Sequence, residues 1–276
     1  MCSAQPPAGD GPILSYPDPD HALAGVRLAP EMVLPGALDL AYDGDAGRWR
    51  LALPATPAWR MEYRFELRRP DGATELVCDP DNPLRVGGGY GDRSVLELPG
   101  YRPPGWLDAP TVDGSWRDLA VPAAKLGATL TGRVWSPPGG AAGILLAHDG
   151  SEFDRRAALG RYCAAATAAG LLAPHHLVLL DPGTRNEWYS ANPDYSATLV
   201  HDVLPALGLP ELPLVGMGAS LGALALLAAH VDHPGTFAGL FLQSGSFFRD
   251  RFDSQESTFT RYRRIVTFVD GVGTGA

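Results

Sequence analysis

A chain of 276 residues, 45% hydrophobic and 19% charged, can hold one large domain or two smaller ones and has the make-up of a soluble globular protein. Its net charge of −9 argues against nucleic acid or an anionic membrane surface as the main partner, and no run of about 18 apolar residues is present to span a membrane. Cys2, Cys78 and Cys163 show neither metal spacing nor a disulfide framework, and Met1–Pro7 lacks a basic region followed by an apolar stretch, so a cytoplasmic protein without metal or cofactor is expected.

Residues 1 to about 12 are rich in proline, glycine and alanine and are expected to be loose. From Ile13 to about Gly100 the texture is β throughout. Leu38–Tyr42 and Trp49–Leu53, with Asp43-Gly44-Asp45 between them, read as a hairpin. Met61, Tyr63, Phe65 and Leu67 alternate with Glu62, Arg64 and Glu66, a period that makes a half-buried strand. Pro70-Asp71-Gly72 turns the chain and Ala73–Cys78 returns as the partner. Residues 1–100 are therefore expected to form an antiparallel sandwich of immunoglobulin type.

Tyr101–Trp106 has the composition of a linker. Beyond it, over residues 101–276, strands alternate with helices. Thr129–Trp135, Gly143–His148 and His176–Leu180 read as strands, Arg155–Ala169 and Asp194–Leu207 as helices closed by Gly170 and Gly208. That alternation predicts an α/β domain with a mostly parallel sheet, and the unbroken apolar runs predict that both its faces are covered.

The most informative stretch is Gly218-Ala219-Ser220-Leu221-Gly222. With 33 glycines, the bare G-x-S-x-G pattern arises by chance on the order of 0.2 times in such a chain. The context is what carries weight. The apolar run Leu212–Met217 precedes it, the helical segment Leu221–His230 follows, and Phe237–Leu242 reads as a further strand. This is the setting of a nucleophile elbow, in which a sharp strand-to-helix turn lifts a serine hydroxyl to the N-terminus of a helix.

Several segments together resemble the enterochelin esterase branch of the esterase D-like α/β-hydrolases. They are Leu146–Phe153, Leu180–Trp188, Asn192–Ser196 leading to Asp202–Pro205, the elbow, and Gln243–Phe248; Asp79-Pro80-Asp81-Asn82-Pro83 is similar to the sandwich those enzymes carry in front. The resemblance implies a carboxylic-ester hydrolase that acts through a Ser-His-Asp/Glu triad without a metal, on a small-molecule ester, siderophores included. It implies Ser220 as nucleophile and the backbone N–H groups of Leu221 and Ser151 as the oxyanion hole, with Gly150 giving backbone room. It places His148, Asp149, Gly150, Arg185 and Glu187 at the rim of the site, His148 beside the oxyanion loop, where a structural role is its plainer reading. A loop-bracing ion pair is the plainer reading of Arg185 and Glu187, and helix-start packing that of Tyr195.

The family places its acid and then its histidine after the strand that contains Phe241. Here the chain continues as a helical Arg261–Asp270 and a Gly-rich Gly271–Ala276, with no histidine after His233, so it reads as C-terminally truncated and lacking the final strands, the triad acid and the triad histidine. Asp149 and Asp270 do not match the family's acid position. His230 lies ten residues along a helix from Ser220, about 15 Å away, too far for a base that must sit within hydrogen-bond reach. Three functions stay open: an impaired serine esterase, a non-catalytic ligand-binding module, and an acyltransferase on the same fold. The Phe237–Leu242 strand is expected to become an exposed edge that invites oligomers.

Overall fold

The structure is a computed structural model that describes residues 11–53, 58–88, 91–248 and 261–272. Cys2, the N-terminal stretch before Gly11 and the tail residues 273–276 lie outside the described residues. The chain divides into two compact units, one ending at Pro103 and the other beginning at Pro104.

The first unit is all β. Its strands are β1 (Ile13–Pro17), β2 (Gly25–Pro30), β3 (Ala41–Asp43), β4 (Arg48–Ala52), β5 (Arg60–Arg68), β6 (Thr74–Val77), β7 (Arg85–Val86) and β8 (Arg93–Glu97). They form two antiparallel sheets, one in the order β1-β4-β3, the other β2-β5-β8-β7 with β6 also on β5. The alternation along β5 has the expected effect: Met61, Tyr63, Phe65 and Leu67 are buried, while Glu62, Arg64 and Glu66 are half-buried. These four join Val26 and Leu28 of the same sheet and Leu14 and Trp49 of the other in one core. The Asp79–Pro83 motif is a structural lock. Tyr63 Oη donates to the Asp79 carboxylate at 2.6 Å, and Asn82 Nδ2 donates to the Val95 carbonyl at 2.8 Å.

The second unit carries six strands: β9 (Ser115–Ala123), β10 (Ala128–Ser136), β11 (Ile144–Ala147), β12 (His176–Leu180), β13 (Leu214–Ala219) and β14 (Gly239–Gln243). Their order is β14-β13-β11-β12-β10-β9. From β12 to β14 the pairing is parallel, whereas β10 runs antiparallel to both neighbours. The helices are α1 (Gly150–Ala157), α2 (Leu159–Ala168), α3 (Arg185–Tyr189), α4 (Pro193–Thr198), α5 (Leu204–Ala206), α6 (Leu221–Asp232) and α7 (Tyr262–Val272).

The central strands are covered on both faces, as their apolar runs require. Val178 and Leu180 of β12 share a core with Leu224, Ala225 and Ala228 of α6. Leu177 and Leu179 point the other way, into a cluster with Leu159, Cys163 and Ala164 of α2. Nine consecutive residues of α6, Leu221–Ala229, are buried, so this helix is the apolar centre of the unit rather than an amphipathic surface helix.

Three expectations change. The predicted helix over Arg155–Ala169 is two helices, because Ala158 takes a left-handed conformation at φ 47° and the Asp154 carboxylate accepts the Gly160 N–H at 2.9 Å, which starts α2 afresh. The predicted helix over Asp194–Leu207 starts at Pro193, with the Asn192 side chain capping the Asp194 N–H at 2.9 Å. It widens into a π-helical turn over Leu199–Val203, ahead of Pro205, whose ring has no N–H to continue an α-helical ladder. Lastly, α7 extends through Gly271 and Val272, which the sequence reading had placed in the tail.

Candidate active site

In a parallel sheet the crevice for ligands opens where successive crossovers leave in opposite directions, at the carboxyl ends of the strands. Here β11 lies between β12 and β13, so that point is the gap beyond Ala147 and Ala219. The chain leaves β11 into His148-Asp149-Gly150-Ser151 and leaves β13 into Ser220.

Ser220 has φ 54° and ψ −121°, a conformation that costs an L-residue about 1–3 kcal/mol and persists only where the surroundings impose it. Those surroundings are specific. The Ser220 N–H donates to the Gln243 carbonyl at 3.0 Å, and its own carbonyl accepts from the N–H groups of Leu224 and Ser246, each at 3.2 Å. The flanking glycines have a steric reason. A Cβ on Gly218 would lie 2.6 Å from the backbone carbon of Gly222, and one on Gly222 would lie 3.2 Å from both His148 Cβ and Asp149 Oδ2. Ser220 is exposed, and its Oγ hydrogen-bonds to Ser246 Oγ at 3.1 Å.

The loop after β11 is bound to the start of α6. His148 is fully buried, and its Nδ1 lies 3.0 Å from the Gly222 carbonyl. A carbonyl only accepts, so Nδ1 carries the proton and Nε2 accepts from the Tyr195 hydroxyl at 2.9 Å. The ring also stacks on Tyr189, with centroids 4.6 Å apart. Burial drives the His148 pKa down to about 4. With both nitrogens engaged and the ring held neutral, His148 is a rivet between the loop and the elbow. It is neither a rim residue nor a base, and this corrects its expected place at the rim. Tyr195, 1% exposed, is part of the same rivet.

Asp149 accepts two hydrogen bonds from Arg185, from Nε and Nη2, both at 2.8 Å. Its backbone N–H donates to the Tyr189 hydroxyl at 3.3 Å, and the Arg185 guanidinium lies 5.7 Å from the Tyr189 ring centroid. Glu187 takes a different partner, Arg261 at 2.8 Å, and so ties α3 to the start of α7. The two charged residues expected together at the rim thus each brace a separate segment. Gly150 packs on the neighbouring strand: a Cβ there would fall 2.4 Å from Leu179 Cα. The Ser151 hydroxyl donates to Asp181, which also accepts from Thr131 Oγ1 at 2.8 Å. Ser151 is the second residue of α1 and Leu221 the first of α6, positions whose backbone N–H groups have no acceptor within the helix. These are the kinds of donors an oxyanion needs.

All seven histidines are among the described residues, and none hydrogen-bonds to Ser220. His21 stacks on Tyr42 in the first unit, His175 and His176 stand at the opposite end of β12, and His201 meets His233 edge-on. Asp270 is exposed on α7. Among the described residues no cluster of side chains is arranged to hold a metal ion, and no helix is long and apolar enough to cross a membrane. The sequence reading missed Ser246, Tyr189 and the bonds of Tyr195. Gln243–Phe248 had marked the segment, without singling out a side chain.

No protein-family model matches the chain, and no curated protein matches it in sequence. Solved structures do match. The ferric enterobactin esterase from Salmonella typhimurium superposes with a TM-score of 0.70 at 21% identity, over 87% of this chain and 72% of that one. The Shigella flexneri enterobactin esterase solved in the presence of enterobactin gives 0.67 at 18%, over 94% and 85%. An enterochelin esterase structure from the same organism gives 0.66 at 19%, over 88% and 72%.

Proposed function

From the premise of an enterochelin-esterase-like fold, we propose that this protein is a serine carboxylic-ester hydrolase acting through Ser220, with a small-molecule ester, siderophore esters included, as substrate. The observation that carries it is the strained, exposed Ser220 at the head of α6, a helix start that His148 binds to the loop after β11. Ser220 Oγ bonds to the ester carbonyl carbon. The alcohol leaves with a proton, and water then releases the acid and restores the hydroxyl. The N–H groups of Leu221 and Ser151 are the donors proposed to hold the oxyanion between these steps. Arg185, which is one-third exposed in its pair with Asp149, stands at the rim. In this reading the first unit is an immunoglobulin-type sandwich.

The rate is expected to be low. Among the described residues no histidine hydrogen-bonds to Ser220, so with these residues alone its proton passes to water and catalysis rests on the oxyanion donors and on binding. The same observation favours a second reading, a ligand-binding module on the hydrolase fold. Turnover of a p-nitrophenyl ester by the wild type and by Ser220→Ala separates the two. Slow, Ser220-dependent turnover supports the hydrolase; ligand-induced thermal stabilisation with no Ser220-dependent turnover supports the binding module. We also propose that a second copy pairs along β14, one of the two edge strands of its sheet among the described residues, where Phe241 is 58% exposed. A clean monomer in light scattering contradicts that.

A further inference from the structure

Ser246 is 2% exposed, and its hydroxyl has one partner among the described residues, Ser220 Oγ at 3.1 Å. Its backbone N–H also donates to the Ser220 carbonyl, so the two residues are joined at two points. Around it the loop is shaped to hold this position. Ser244 sits at φ 45°, and a Cβ on Gly245 would fall 2.2 Å from the Phe247 ring.

Ser220 differs from Ser246 in exposure, and this sets the direction of the hydroxyl pair. A buried hydroxyl with a single partner gives its proton to that partner, because leaving a buried donor unused is costly. The exposed Ser220 can direct its own proton outward, to solvent or to a base. Resting on the reading of Ser220 as nucleophile, we infer that Ser246 donates a hydrogen bond to Ser220 Oγ, fixing its rotamer and stabilising the negative charge that grows on it. Ser246 keeps its proton throughout. The bond that forms is Oγ to the carbonyl carbon, and the proton that departs is that of Ser220.

A thiol in place of the hydroxyl makes the effect titratable without ester chemistry. The experiment compares the pH profile of iodoacetamide alkylation at position 220 in Ser220→Cys with that in Ser220→Cys/Ser246→Ala, read by peptide mass spectrometry so that Cys2, Cys78 and Cys163 do not contribute. Removing the donor should raise the thiol pKa by about half to one pH unit and slow alkylation at pH 7 about three- to tenfold. Ser246→Thr in the same background should restore the profile, and Ser246→Gly serves if the alanine variant does not fold. Coincident profiles with and without Ser246 overturn the inference. Ester turnover measured in parallel keeps the two proposals apart. A thiol shift without Ser220-dependent turnover contradicts the hydrolase alone; turnover without a thiol shift contradicts the role of Ser246 alone.

Discussion

His148 and Gly222 are joined by a hydrogen bond of 3.0 Å from Nδ1 to the carbonyl, two residues beyond Ser220. This bond links the carboxyl ends of β11 and β13 and fixes the loop that begins α1 against the elbow. It requires a neutral ring whose Nδ1 is protonated. Protonation of Nε2 would displace the hydrogen bond from Tyr195 and bury a charge beside Arg185.

A pH dependence of stability follows. Burial holds His148 at a pKa of about 4 against an ordinary 6.5, so between those values the unfolded chain takes up a proton that the folded one refuses. The contribution is complete above pH 6.5 and is lost as pH falls toward 4, by roughly 3 kcal/mol in all. Urea melts at stepped pH values should show this slope, and His148→Asn should flatten it. Equal slopes in both proteins would contradict the assignment.

The glycines of the elbow differ in how much room they have. At Gly218 an added Cβ meets backbone at 2.6 Å, whereas at Gly222 its nearest neighbours are side-chain atoms at 3.2 Å. Gly218→Ala is expected to cost about 3 kcal/mol or more and Gly222→Ala about 1 kcal/mol. Chemical denaturation of the two variants checks the ranking, and the reverse order would contradict it.

Arg185→Ala leaves the Asp149 carboxylate without its two 2.8 Å donors. The pair is partly exposed, with side-chain exposures of 34% and 12%, so the cost should be about 1–3 kcal/mol rather than that of a fully buried pair. Arg185→Lys should recover less than half of it, because an ammonium cannot form the two parallel bonds. Thermal melts of the three proteins decide this.

Much of the fold was legible because its signals are local. The alternation along β5, the apolar runs of β11 to β13 and the elbow each lie within a short window. The β9–β10 hairpin was half hidden, since Ser115–Asp118 of the edge strand β9 is exposed and carries no apolar alternation. The break at Ala158 puts an alanine, not a glycine, in the left-handed conformation, and it depends on the Asp154 side chain. The site was legible at Ser220 and much less so around it. Ser246 and Ser220 are 26 residues apart, and His148 and Gly222 are 74 apart, so only the folded sheet brings either pair together. A histidine after a strand at the carboxyl edge reads more readily as a structural residue than as a base, and only its two nitrogens, traced to Gly222 and Tyr195, show what it holds together.

The central claim is that Ser220 Oγ is acylated by an ester. Incubation with p-nitrophenyl acetate, rapid acid quench and peptide mass mapping tests it most directly. The account predicts a single acetyl group on the peptide containing Ser220, formed in step with p-nitrophenol release and absent from Ser220→Ala. Release of p-nitrophenol at the same rate from both proteins, with no adduct at Ser220, would contradict it.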